Sequence, residues 1–280
     1  FCAGKYLRPQ APKKDDEVDP FRQQAKYYKN LEAAIKLSAR YGGWSLSLTG
    51  AGEPTVDPWA IERAMRVYKK CADQGAYFPN VNLFTNGIAF ADKEFCQKWL
   101  PRWKGLGMTN VAVSVHGMGT AAQARAYGFD SYGARGYPWL DQIFDNIRAE
   151  GMGLRVTLLL RKGEVEDAGT YQEAIDDLID NYGVDNITSW PVSNPDGTRN
   201  EHTPSRFGLW SIRLWLKRHA KICHGHVWGG GVYDYRGSML RMTDYVTKHD
   251  PKKDFVRQLV VFQDATVAYS WIREGALCMK

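Results

Sequence analysis

The sequence is 280 residues long, 44% hydrophobic and 24% charged, with a formal net charge of +6. That length supplies a core for one large domain, with or without an extension, and the balance is that of a globular protein rather than a disordered or fibrous one. No run approaches the ~18 apolar residues of a membrane span, and the charged start has no secretory leader pattern, so no membrane partner is expected. The positive excess favours anionic partners, either an anionic small molecule or nucleic acid. The five cysteines, Cys2, Cys71, Cys96, Cys223 and Cys278, are scattered and never form a C-x-x-C pair. They argue against a disulfide framework and for a reducing, cytoplasmic location. The chain starts with Phe1 rather than Met, which reads as a processed, truncated or partly observed product.

The pattern predicts a helix over residues 19–40, with Asp19 as cap, Pro20 in the first turn and Leu31, Ala34, Ile35 and Leu37 on the apolar stripe. A short strand over 44–48 runs into Gly50-Ala51-Gly52-Glu53-Pro54, and a helix over 58–74 follows. The alternation repeats with a strand over 81–84 ending in Thr85-Asn86-Gly87 and a helix over 93–100. Next comes a strand over 110–115 ending in His116-Gly117, then a loop rich in Gly, Ala and Tyr. A helix over 138–150 precedes a nearly continuous apolar strand over 154–160, which ends in Arg161-Lys162-Gly163. A helix over 170–182 and a strand over 186–190 complete the run.

Apolar strands joined by helices predict a parallel sheet covered on both faces. Chemistry in such folds sits in the loops after the strands' carboxyl ends. Beyond residue 193 the pattern changes: an amphipathic helix over 205–221, a glycine-rich stretch at 229–231, and a hairpin of 256–262 with 266–271. The division expected is a core over 1–192 and a C-terminal extension over 193–280.

Gly50-Ala51-Gly52-Glu53-Pro54 sits where backbone can approach a ligand and a carboxylate can meet a cationic amino group; a plain strand-to-helix turn is the alternative. It lacks the G-x-G-x-x-G of a dinucleotide fingerprint. His116 is either a substrate-side acid or a turn residue, and Arg161 either an anion ligand or a solvated charge. His219, Cys223, His224 and His226 lie close in sequence; they are either a zinc site, though without the usual paired spacing, or plain helix-end and loop residues. Tyr127, Tyr132, Arg135 and Tyr137 form an aromatic and basic loop suited to stacking a base or to covering a site.

In order along the chain, these pieces resemble the radical S-adenosylmethionine (radical SAM) superfamily. Phe1-Cys2 resembles the end of its C-x-x-x-C-x-φ-C motif, and Gly50-Ala51-Gly52-Glu53-Pro54 its G-G-E-P-like run. Thr85-Asn86-Gly87 resembles the T-N-G after its third strand. Ser114-Val115-His116-Gly117 is similar to the S-x-D-G after its fourth, with His116 where an acid is common. Residues 158–166 resemble the fifth strand and its loop, and the resemblance spans residues 1 to about 192.

It implies an α/β fold: a partial (β/α)6 barrel of parallel strands with a C-terminal α/β-hairpin cap, the first strand and first two cluster cysteines lying upstream of Phe1. It implies a [4Fe–4S] cluster and S-adenosylmethionine as cofactors, and a reductant protein such as flavodoxin or ferredoxin as partner. The activity implied is reductive cleavage of S-adenosylmethionine to a 5′-deoxyadenosyl radical, which abstracts hydrogen from a substrate. A nucleoside, nucleotide or RNA is the substrate class that the charge and the Tyr-rich loop favour.

By residue, the resemblance implies Cys2 as the third cluster ligand and Phe1 as the aromatic against adenine. Gly50, Gly52 and Glu53 receive the methionine amino group, Asn86 and Ser114 lie near the cofactor, and Arg161 pairs with its carboxylate. The resemblance further implies that Trp190 and Val192 flank the adenine, Trp190 being otherwise a core residue, and that His116 faces the substrate. Two alternatives accompany this reading. One is a catalytically inactive barrel that binds S-adenosylmethionine, a nucleotide or a partner protein. The other is a phosphate-binding barrel enzyme using Glu53 and His116 in acid–base chemistry.

Overall fold

A computed structural model describes residues 20–49, 52–128, 137–194, 198–225, 230–243, 258–269 and 277–279. The chain divides into two compact units, each drawn from separate stretches of sequence. The first comes from Phe84–Leu100 and Asn110–Val246, the second from Cys2–Leu83, Pro101–Thr109 and Thr247–Lys280. Both have the predicted α/β character, with parallel strands joined through helices.

In the first unit, β3 (Asn110–Val115), β4 (Gly153–Leu160) and β5 (Asn186–Pro191) run parallel. A meander of β6 (Lys221–Gly225), β7 (Gly231–Tyr235) and β8 (Ser238–Met242) joins them, with β8 parallel to β5 and the remaining pairs antiparallel. The strand connections carry α4 (Thr120–Tyr127), α5 (Leu140–Ala149), α6 (Ala168–Asp180) and α7 (Arg206–His219). Asp167 caps α6 by accepting from Thr170 N at 3.0 Å, and Ser205 caps α7 by accepting from Gly208 N at 2.9 Å. Each cap gives an orphan N–H of the first turn a partner. The β7–β8 turn is tied to α6 through Arg236, which bonds both Asp176 and Asp180.

In the second unit, β1 (Ser45–Leu48) pairs in parallel with the part of β2 (Asn80–Thr85) up to Leu83, from Ser45 opposite Asn80 to Leu48 opposite Leu83. Helices α1 (Pro20–Arg40) and α2 (Pro58–Asp73) belong here. Asp57 caps α2, accepting from Ala60 N at 2.9 Å, with Pro58 at the first helical position. Buried Tyr68 of α2 closes on Phe78, donating to its carbonyl at 3.1 Å and accepting from its N–H at 3.2 Å. Of the predicted hairpin the described residues show β9 (Val260–Val261) antiparallel to β10 (Val267–Ala268), with β11 (Leu277–Met279) pairing on β10, while 256–257 and 270–271 lie outside the described residues. Its turn needs no glycine because Ala265 itself takes the left-handed conformation (φ 67°).

Three local expectations change. Helix α3 (Lys93–Gly105) does not stop before Pro101 but passes through it. Trp99, Leu100 and Trp103 are all buried along it, and that burial outweighs the hydrogen bond a proline forfeits. The Gly/Ala/Tyr-rich loop after β3 contains the helix α4, whose low amphipathicity hides it from a periodicity search. The helix predicted over 205–221 ends at His219, and Lys221–Gly225 is strand.

Candidate functional site at the strand ends of the first unit

The loop after β2 is shaped by its own side chains. Thr85 Oγ1 accepts from Gly87 N at 3.0 Å, and Asn86 Oδ1 accepts from Ile88 N at 2.9 Å. Gly87 is required twice over. Its φ is +85°, and a Cβ there stands 2.9 Å from Val113 Cγ1. The Asn86 carbonyl accepts the Tyr137 hydroxyl at 2.5 Å.

The loop after β3 is held in the same manner. The Ser114 carbonyl accepts the Tyr127 hydroxyl at 3.1 Å, and the Tyr127 and Tyr137 rings stack with centroids 5.7 Å apart. These two tyrosines therefore clamp the two strand-end loops through main-chain carbonyls. Tyr132 and Arg135, the other members of the predicted aromatic loop, lie outside the described residues.

His116 stands at the end of β3, buried, with its ring edge-on to Tyr127 at 4.9 Å. Its main-chain N–H donates to Gln123 Oε1 at 2.9 Å. Burial, reinforced by the nearby Arg161 charge, lowers its pKa to about 4, so the imidazole is neutral at pH 7 and retains a ring nitrogen able to accept a proton. Gln123 is fully buried, and its Nε2 has no hydrogen-bond partner among the described residues.

Arg161 follows β4. Its main-chain N–H donates to Val165 O at 3.0 Å, and its half-buried side chain has no carboxylate partner among the described residues. On β5, Trp190 is half-buried opposite Leu159, while Val192 is buried, with its carbonyl accepting from Thr203 Oγ1 at 2.8 Å. Asn86, Ser114, His116, Arg161, Trp190 and Val192 thus lie in or just beyond the carboxyl-terminal parts of successive parallel strands.

Gly52 and Glu53 belong to the second unit. Glu53 caps the single turn Pro54–Val56, its Oε1 accepting from Thr55 N at 3.1 Å and from Thr55 Oγ1 at 2.7 Å. Gly52 is exposed, and a Cβ added there meets nothing within 4 Å. Gly50, Phe1 and Cys2 lie outside the described residues.

The cluster that the resemblance implies does not fit Cys71 or Cys96, while Cys223 is exposed on β6 and the side chain of Cys278 lies outside the described ones. Cys71 and Cys96 are buried and their thiols resist ionisation, that of Cys96 being pushed up to about 12 chiefly by burial. Cluster ligands are thiolates. Among the described residues no set of three or more His, Cys, Asp and Glu side chains converges as a metal site would. His219 instead stacks on Trp215 at 5.5 Å, and Cys223 lies on β6 rather than on the same helix face. His226 is outside the described residues. A recess of about 350 Å³ bounded by Met118, Glu164, Glu173 and Asp177 is lined by none of the predicted site residues.

One constellation escaped the reading of 154–160 as a continuous apolar strand. Ser114, Thr157, Thr188 and Arg241 are successive cross-strand partners on β3, β4, β5 and β8. They form one row on one face of the sheet, and Arg155, two residues before Thr157, shares that face. The signal was the alternation Arg155, Thr157 within Leu154–Leu160, repeated by Thr188 and Trp190 on the next strand.

No protein-family model matches the chain. No curated protein matches it either. Among solved structures, one described as a hexahistidine-tagged anSMEcpe with bound AdoMet is similar, at 16% sequence identity and a TM-score of 0.44. The similarity covers 68% of this chain and 47% of that one, so the chain spans about half of that protein's length.

Proposed function

We propose that this chain forms the body of a radical SAM enzyme, which cleaves S-adenosylmethionine reductively and abstracts hydrogen from its substrate. The observation that carries the reading is the succession of strand-end residues, Asn86 after β2, Ser114 and His116 at the end of β3, Arg161 after β4, and Trp190 with Val192 around the end of β5. Their order and spacing are those of the sequence resemblance, and α/β folds gather ligands at that edge of a sheet.

The chain's own residues divide the work. Arg161, with no carboxylate partner among the described residues, takes an anionic group of the cofactor through charge-assisted hydrogen bonds. Trp190, half-buried, offers a flat apolar surface to a base. His116, held neutral by burial, accepts a proton from a substrate placed against it. The cluster requires two thiolates besides Cys2. Cys71 and Cys96, buried with raised thiol pKa values, are poorly suited to supply them.

A second reading, an inactive barrel that binds S-adenosylmethionine or a nucleotide, is favoured by the same two buried thiols, which are poorly suited to hold iron. Iron and sulfide analysis of the whole gene product, purified and reconstituted without oxygen, separates the two. About four irons per chain, with 5′-deoxyadenosine formed on adding dithionite and S-adenosylmethionine, is the expected result. No iron after reconstitution sinks the first reading and leaves the second.

A further inference from the structure

We propose that the outward face of α7 binds single-stranded nucleic acid, with two aromatic rings taking the bases and the cations around them taking the phosphates. This goes beyond the strand-end reading and does not depend on it. Leu209, Ile212, Trp215 and Leu216 turn the apolar stripe of α7 into the fold. At helical spacing, Phe207, Trp210, Lys217 and Arg218 then fall on the opposite face. Phe207 is 73% exposed and Trp210 53%, and their rings pack side by side with centroids 5.6 Å apart. Exposed apolar residues scattered singly need no account. These two touch, and aromatic side chains are the ones that carry recognition at contact surfaces.

The charge around the pair is of one sign. Arg206 precedes it, Lys217 and Arg218 follow in the last turn, all three are exposed, and α7 contains no acidic residue. Among the described residues no carboxylate pairs with any of the three. On the neighbouring α6, Asp176 and Asp180 are held by Arg236 rather than by α7. The surface is therefore complementary to a polyanion. Bases with an open face can stack on Phe207 and Trp210 while Arg206, Lys217 and Arg218 meet the backbone, the combination by which single strands are held. A duplex keeps its base faces covered. A bilayer is the weaker match, because an interfacial helix sinks a whole apolar face into the lipid and that of α7 is already buried in the fold.

The test is fluorescence anisotropy of a labelled single-stranded oligouridylate of about 12 nucleotides, titrated with the full 280-residue chain at several sodium chloride concentrations. Saturable binding that weakens with salt is expected. Phe207→Ala and Trp210→Ala are each expected to raise the dissociation constant about fivefold or more. Both side chains are exposed, so each variant should keep the wild-type unfolding midpoint. Lys217→Gln combined with Arg218→Gln is expected to reduce the log–log salt slope by about one, which a loss of stacking alone does not do. Tyr77→Ala, at an exposed aromatic of the second unit, leaves binding unchanged. The same chain is then titrated with vesicles of phosphatidylcholine and phosphatidylserine. Binding to the vesicles and not to the oligonucleotide overturns the proposal in favour of a membrane surface. Binding to neither, or undiminished affinity for the oligonucleotide in both Phe207→Ala and Trp210→Ala, also overturns it.

Discussion

On one face of the sheet formed by β3, β4, β5 and β8, Val113, Val115, Leu158, Leu160, Ile187 and Leu240 have no measurable exposure. On the other face the same strands place Ser114, Thr157, Thr188 and Arg241 side by side. The apolar face includes Ser189, whose hydroxyl meets the buried Tyr171 of α6 at 3.3 Å. A parallel sheet covered on both faces purely for stability is apolar on both. Here the strands alternate instead, so one face is closed and apolar while the other carries polar groups, among them the Thr188 hydroxyl, buried with no hydrogen-bond partner among the described residues.

The largest expected effect tests the apolar side of that contrast. Leu158→Ala removes a fully buried side chain from the middle of β4 and should destabilise the protein by about 2–5 kcal/mol in urea or guanidinium unfolding. The spread reflects how far the site can collapse around the gap. A loss below about 1 kcal/mol would mean that this face is loosely packed, and the contrast between faces would lose its basis.

The next effect is nearly as large and belongs to the polar strand end. His116 has its pKa lowered to about 4 in the folded chain, against about 6.5 unfolded. Between those values the unfolded state binds the proton more readily. Stability is therefore complete above about pH 6.5 and falls as pH drops toward 4, by roughly 3 kcal/mol in all. Glu32 and Asp167, whose pKa values are lowered by Lys36 and by the Thr170 N–H respectively, also lose stability on acidification. The comparison with His116→Gln, measured by urea unfolding at several pH values from 7 to about 4, isolates the imidazole. Wild type should show the steeper loss. Parallel curves would show that the ring is not held neutral by burial.

The two faces also differ in how legible they were. The apolar strands announce themselves by runs of Val, Leu and Ile, and the strand-end loops by Thr85-Asn86-Gly87 and Ser114-Val115-His116-Gly117. Gly87 was readable as a turn residue, but not that Val113 crowds it. Arg155 and Thr157 were submerged in a stretch that is apolar on average, where period-two alternation was the informative signal. Arg241 lies in β8, a strand hidden beyond a glycine-rich stretch, and its pairing with Thr188 depends on a chain reversal through β6 and β7. No local pattern encodes that proximity. The clamp of Tyr127 and Tyr137 on the Ser114 and Asn86 carbonyls is equally a product of the tertiary fold.

The smallest expected change in stability is the sharpest test of what the polar face is for. Thr188→Val replaces a buried hydroxyl that has no partner among the described residues with a methyl group of similar size. If the hydroxyl served the fold, its loss would cost about 1 kcal/mol, the usual net value of a hydrogen bond. An unpartnered hydroxyl contributes nothing of that kind, and removing it relieves a desolvation cost. Equilibrium urea unfolding should therefore find Thr188→Val as stable as wild type, or more stable by up to about 1 kcal/mol. A clear loss would assign Thr188 to the core and make the polar row structural. An unchanged or raised stability would show that the hydroxyl does not hold the fold together, as expected of proteins that sit away from their stability optimum.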